Sequence, residues 1–196
     1  MPNRLSRLVG AAAIALCAVA VPAQAKEPLP ISEYGKLPDV ERSAISPSGD
    51  RIAVLTTMQG KRVILAIEDQ TKALTAIAVG DTKVRGLRWI SEDRLLLTSS
   101  QTEDLGYGFT TDKAEVFVAQ VLPLSASVEG GTVFGNSPKY PDIIIGNYGI
   151  RQIDGKHYGF FGGIELVRRT GGRRSGYQLD HARPYLFKVD LQTFEI

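Results

Sequence analysis

The stretch Ala44-Ile45-Ser46-Pro47-Ser48-Gly49-Asp50-Arg51-Ile52-Ala53-Val54-Leu55 reads as a short strand, a tight turn and a second strand. Ser46 to Gly49 suits a type I turn, because Pro47 pre-sets φ at the second position and Gly49 takes the last. Ile52 to Leu55 then runs apolar without alternation. The same grammar returns at Gly86-Leu87-Arg88-Trp89-Ile90-Ser91-Glu92-Asp93-Arg94-Leu95-Leu96-Leu97. A weaker third version pairs Gly149 to Ile153 with His157 to Phe161 across Asp154-Gly155-Lys156, and Asp-Gly is a strong hairpin signal.

The remaining chain is also strand-like. Arg62 to Ile67 and Leu74 to Val79 make a hairpin around Glu68 to Lys72, and Ala114 to Leu122 and Asp142 to Ile145 read as further strands. Ser99 to Asp112 and Pro123 to Pro141 read as loops. Tyr185-Leu186-Phe187-Lys188-Val189-Asp190 echoes Val63 to Glu68, each an apolar run closed by an acidic residue. Arg94 follows Arg51 by 43 residues, and Lys156 follows Arg94 by 62. The first spacing is that of a four-stranded propeller blade, roughly 40–50 residues, and the second is a blade with insertions. Ile52 to Leu55, Leu95 to Leu97 and Ile143 to Ile145 lack period-2 alternation, so both faces of these strands should be covered. The expected fold is all-β: a partial, irregular propeller of about three four-stranded blades over residues 43–196, with an antiparallel sandwich as the alternative.

Met1 to Ala25 has the features of a signal peptide: Arg4 and Arg7, an apolar run from Leu8 to Val21, and Ala23-Gln24-Ala25 for cleavage. The run is short of the roughly 20 residues of a spanning helix. Cys17 raises a lipoprotein reading, but Leu16 is bulky where such sites take a small residue. Removing Arg4 and Arg7 cancels the formal charge of +2, so the mature chain is neutral and favours no acidic partner. It also lacks cysteine, which excludes disulfides and thiolate metal sites. Residues 26–42, with Pro28, Pro30 and Pro38, read as a strap without a regular interior element. Tyr34 and Leu37 are its candidates for tucking against the domain.

The strap, Ser46-Pro47-Ser48-Gly49, the run Val84-Arg85-Gly86-Leu87-Arg88-Trp89-Ile90-Ser91-Glu92-Asp93-Arg94-Leu95, and the closing Tyr185 to Leu191 together resemble the start of the propeller in exported bacterial prolyl-oligopeptidase-like serine peptidases. Dipeptidyl-peptidase and acylaminoacyl-peptidase relatives belong to this group. The resemblance implies a periplasmic or secreted protein whose propeller filters peptide access to a separate α/β-hydrolase domain. It implies a fragment, because that domain is missing. No Gly-x-Ser-x-Gly elbow is present; Gly135-Asn136-Ser137-Pro138-Lys139 has Lys139 in place of the final glycine.

No catalytic, cofactor-binding or metal residue is therefore assigned. His157 and His181 are the two histidines, and Asp180 adjoins His181, but neither histidine has an assignable nucleophile or a metal-ligand spacing. Arg168, Arg169, Arg173 and Arg174 form a basic Gly-rich loop, read either as a solvated hairpin or as a rim loop meeting a peptide carboxylate; export removes nucleic acid as a partner. Gly106-Tyr107-Gly108 and Gly130-Gly131 lack a nucleotide-loop setting and read as flexible connections. Trp89, Phe160 and Phe161 suit a core better than a ligand groove. Glu92-Asp93 and Glu103-Asp104 are acidic pairs placed in turns.

Overall fold

The computed structural model describes residues 28–36, 38–104, 111–171, 176–179 and 183–196. Residues 1–25, whose sequence has the features of a signal peptide, lie outside them. The chain divides into two units, Met1–Leu37 and Pro38–Ile196. In the first, one helical turn, α1 (Ile31–Tyr34), interrupts the expected irregular strap. Pro30 occupies its N-cap, where the missing N–H costs nothing. Tyr34 is 74% exposed, and Leu37 is outside the described residues.

The second unit is all-β. Four strands, β1 (Val40–Ile45), β2 (Arg51–Met58), β3 (Lys61–Glu68) and β4 (Lys72–Ala78), form an antiparallel sheet in chain order. The strap thus ends earlier than expected, since Val40 to Arg42 already pair with β2. Gly49 N donates to Ser46 O at 3.0 Å with Gly49 at φ +87°, which closes the opening turn as expected. Gln59-Gly60 and Asp154-Gly155 both sit at positive φ, as a two-residue type I′ hairpin requires.

The second sheet also follows chain order: β5 (Lys83–Ser91), β6 (Arg94–Asp104), β7 (Lys113–Pro123) and the short β8 (Gly131–Thr132). Here the expected loop from Ser99 is strand through Asp104, paired as far as Asp104 with Lys113. The polar residues of this extension are matched across strands: Ser100 Oγ and Thr102 Oγ1 donate to Glu115 at 2.6 and 2.9 Å. Cross-strand pairing thus makes a strand of a segment that polarity marks as loop.

The third sheet has three strands rather than four, ordered β9 (Gly146–Ile153), β10 (Lys156–Gly163) and β13 (Tyr185–Asp190). A separate hairpin of β11 (Leu166–Arg169) and β12 (Gly176–Leu179) is inserted between β10 and β13. Asp142 to Ile145 is not a strand. Ile144 N bonds to Phe117 O of the second sheet and Ile145 N to Gly162 O of the third, each at 2.8 Å. The apolar run is a crossing between sheets.

Two cores hold the sheets together. In the first, Ala53, Leu55, Ile64 and Ala66 meet Leu87, Trp89, Leu95 and Leu97. In the second, Ile90, Leu96, Ala119 and Val121 meet Phe134, Phe161, Phe187 and Val189. Leu95 and Leu97 therefore point to one neighbour and Leu96 to the other, as period-2 geometry dictates. The middle sheet is covered on both faces. The outward face of the first sheet is not: Ile52, Val54, Leu65 and Ile67 are half-buried, and Ile45 is 67% exposed.

Candidate functional site: a groove between two edge strands

β1 and β5 are the first strands and the free edges of their sheets, and they lie side by side. Between them runs an open groove of about 480 Å³, whose charged lining is Glu41, Arg42, Arg85 and Arg88. Arg42 Nε donates to the Val84 carbonyl at 3.2 Å and so crosses from one sheet to the other. Arg85 Nε donates to Ser100 Oγ at 2.7 Å and its Nη2 to Glu115 Oε1 at 3.0 Å. Arg88 is exposed and has no hydrogen-bond or ion-pair partner among the described residues.

Glu41, the groove's own carboxylate, and Glu115, the partner of Arg85, are each paired with a cation. Arg62 forks onto Glu41 with two bonds of 2.8 Å, and this pairing holds the Glu41 carboxyl below its usual range. Glu115 is pulled down to about 2, by the Ser100 hydroxyl first and then by Arg85, Thr102 and Lys83. The groove therefore carries uncompensated positive charge at neutral pH.

The residues singled out in the sequence lie elsewhere and apart. His157 is half-buried in β10, where its carbonyl accepts from Leu191 N at 2.9 Å; His181 and Asp180 lie outside the described residues. Ser137 Oγ accepts from Lys139 N at 3.3 Å in an irregular turn, with no strand-to-helix elbow around it. Arg168 and Arg169 end β11 opposite Tyr177 and Gly176; Arg173, Arg174 and Gly106 to Gly108 lie outside the described residues.

Several of the sequence candidates are packing or turn residues. Trp89 is 8% exposed, and its Nε1 donates to Ala44 O at 2.9 Å, joining the first two sheets. Phe161 is fully buried while Phe160 faces the other side of β10. Gly130 and Gly131 are closely packed, and Gly131 opens β8. A Cβ on Gly130 would stand 2.8 Å from Val121 O, and Gly131 lies under the Phe194 ring. Of the acidic pairs, Glu92 and Asp93 do make a turn, with Asp93 accepting from Ser91 Oγ at 2.6 Å. Glu103 and Asp104 instead end β6. Among the described residues no group of three or more His, Cys, Asp or Glu side chains could hold a metal ion. Among them, too, no helix is long and apolar enough to cross a membrane.

The groove arginines were not singled out from the sequence. Arg42 and Arg85 line one groove only through the packing of β1 beside β5. The available signal was Arg85-Gly86-Leu87-Arg88, two arginines flanking a glycine on a strand that opens a sheet. Comparison with known proteins finds no matching family model, no similar curated protein and no similar solved structure.

Proposed function

We propose that residues 43–196 are an incomplete β-propeller, the non-catalytic N-terminal portion of an exported prolyl-oligopeptidase-like serine peptidase. One observation carries the reading: successive antiparallel meanders, in chain order, stack so that the middle one is buried on both faces, with Leu95 and Leu97 in one core and Leu96 in the other. Stacked blades give this pattern. The blade-length spacing of Arg51 and Arg94 and the signal-like Met1 to Ala25 agree with it. In this reading the chain acts on peptides only together with a hydrolase domain that supplies the nucleophile, and it contributes the access scaffold.

The test is a peptidase assay of the purified chain with dipeptidyl and acylaminoacyl chromogenic substrates. The expected result is no turnover above background. Turnover that co-purifies with the chain contradicts a non-catalytic role. A second reading, a periplasmic binding module without any hydrolase, is favoured by one observation, the arginine-lined groove between β1 and β5.

A further inference from the structure

We propose that the two uncovered sheet faces of this chain cover one another between two copies, closing a ring of six stacked sheets. β2, β6 and β10 open on Arg51, Arg94 and Lys156, each just after its hairpin turn. Counted from those residues, side chains point the same way in all three sheets. The first and third after Arg94, Leu95 and Leu97, face the preceding sheet, and the second, Leu96, faces the following one. In β2 the second and fourth, Ala53 and Leu55, face the following sheet. In β10 the third and fifth, Gly159 and Phe161, share the core face with Val189 and Phe187, toward the preceding sheet. Ile52 and Val54 therefore stand where Leu95 and Leu97 stand, and Tyr158 stands where Leu96 stands, with no sheet against them among the described residues.

The first sheet thus lacks a preceding sheet, and the third lacks a following one. At both contacts within the chain a forward face meets a backward face, so the third sheet of one copy offers what the first sheet of another lacks. A twofold axis makes this contact twice, each copy giving both faces. Two copies supply six sheets, within the roughly 4–8 of closed propellers, and so take the place of the further sheets of a longer chain. Area separates a closed pair from an open string. Three or four strands about 4.8 Å apart and about 20 Å long present a face of about 300–400 Å². One contact then buries about 700 Å² in all, too little for a stable interface, whereas ring closure buries about 1,400 Å², the standard size.

Charge matches as well. Turn ends of adjacent sheets lie together, since Ser48 N and Arg51 Nη1 both reach Glu92. At that end of the first sheet's open face, Asp50 and Asp69 line a recess beside Ile52, and neither carboxylate has a hydrogen-bond or ion-pair partner among the described residues. At the same end of the third sheet's open face, exposed Arg151 stands across from Tyr158, and its one side-chain partner among the described residues is the Ile150 carbonyl at 3.2 Å. Stacking the faces turn end to turn end brings these unlike charges to the same rim. Away from that rim Val54 and Leu65 meet Phe160 and Leu186, whose cover is favoured by the hydrophobic effect. The ring rests on the stacked-sheet half of the function proposed above and not on its peptidase half.

The experiment is sedimentation velocity of the full chain, with Trp89 emission reporting whether the first two sheets stay stacked. A dimer with a dissociation constant of about 1 µM or tighter is expected, with no larger species. Val54→Asp and Phe160→Asp alter different faces, and each should weaken the dimer about tenfold or more while Trp89 stays blue-shifted. Arg151→Glu should weaken it about fivefold, and adding Asp50→Arg to the same chain should restore it. Growth beyond two copies would mean an open string. Loss in only one of Val54→Asp and Phe160→Asp would mean contact between like faces, and no rescue by Asp50→Arg would mean a different seating. Each of these results overturns the proposal. A monomer at high concentration with blue-shifted Trp89 overturns it too but leaves the stacked sheets standing, whereas a solvent-exposed Trp89 in the folded chain overturns both.

Discussion

Arg51 Nη1 donates to the backbone carbonyl of Glu92 at 2.5 Å, tying the first hairpin of the first sheet to the first turn of the second. The two turns are the pair whose likeness organises the sequence, and they touch. Ser48 N also donates to Glu92 Oε1 at 2.8 Å, while the other side of the Arg51 fork grips Glu68 at 2.7 and 3.0 Å. Arg51→Ala should destabilise the chain by about 1–2 kcal/mol, a charge-assisted bond discounted for partial exposure of the pair. Arg51→Lys should recover little, because a point charge cannot serve Glu68 and the Glu92 carbonyl together. Urea midpoints of the two variants check this; full rescue by lysine would contradict the fork.

Trp89 is the single tryptophan and is buried in the first core. Its emission should be blue-shifted and poorly quenched by acrylamide in the folded chain, moving to the red on unfolding. Trp89→Phe keeps most of the apolar area but leaves the Ala44 carbonyl without its 2.9 Å donor. A loss of about 1–3 kcal/mol is expected in chemical denaturation. Red-shifted, freely quenched emission before unfolding would contradict the inter-sheet position.

Leu55 and Phe161 are fully buried in different cores, one on each side of the middle sheet. Leu55→Ala should cost about 2–5 kcal/mol and Phe161→Ala about 3–5 kcal/mol. The double variant should be additive to within ~0.5 kcal/mol, since the two sites share no neighbour. It is checked by comparing the three denaturation curves. Strong coupling would mean that one core serves all three sheets.

Glu115 carries the pH prediction. Its carboxyl is depressed in the folded chain to about 2, below the roughly 4.3 of an unfolded glutamate. A depressed pKa stabilises the fold above the unfolded value, and the contribution is lost as pH falls from about 4.3 through 2. The stability difference between the natural chain and Glu115→Gln should therefore be constant near neutrality and shrink across that acid window. High salt should narrow it as well, because the Lys83 and Arg85 partners are half exposed. A difference that grows with acidity would contradict the assignment.

The outward face of the first sheet presents Ile45, Ile52, Val54, Leu65 and Ile67, and the outward face of the third presents Tyr158, Phe160 and Leu186. Two open apolar faces favour association of chains. Sedimentation velocity should show self-association that rises with concentration and falls in Ile45→Lys. A monomer at high concentration with an unchanged variant would contradict this.

The sequence disclosed hairpins more readily than sheet ends or sites. Ser46 to Gly49 and Asp154-Gly155 are local turn chemistry and were legible as such. Leu95 to Leu97 was legible because three consecutive apolar residues on a strand require two covered faces. The same logic failed at Ile143 to Ile145, where successive N–H groups bond to different sheets. Ser99 to Asp104 misled because the hydroxyls of Ser100 and Thr102 are satisfied by Glu115, a partner fixed by register and not by proximity in sequence. The groove escaped for the same reason: Arg42 on β1 and Arg85 and Arg88 on β5 line it only because two strand edges lie side by side.

Reading the coding sequence 3′ of Ile196 decides whether the three sheets open a longer propeller. An open frame with further antiparallel meanders at blade-length spacing, followed by a Gly-x-Ser-x-Gly elbow in a hydrolase domain, is expected. An in-frame stop directly after Ile196, with no hydrolase encoded alongside, would contradict it.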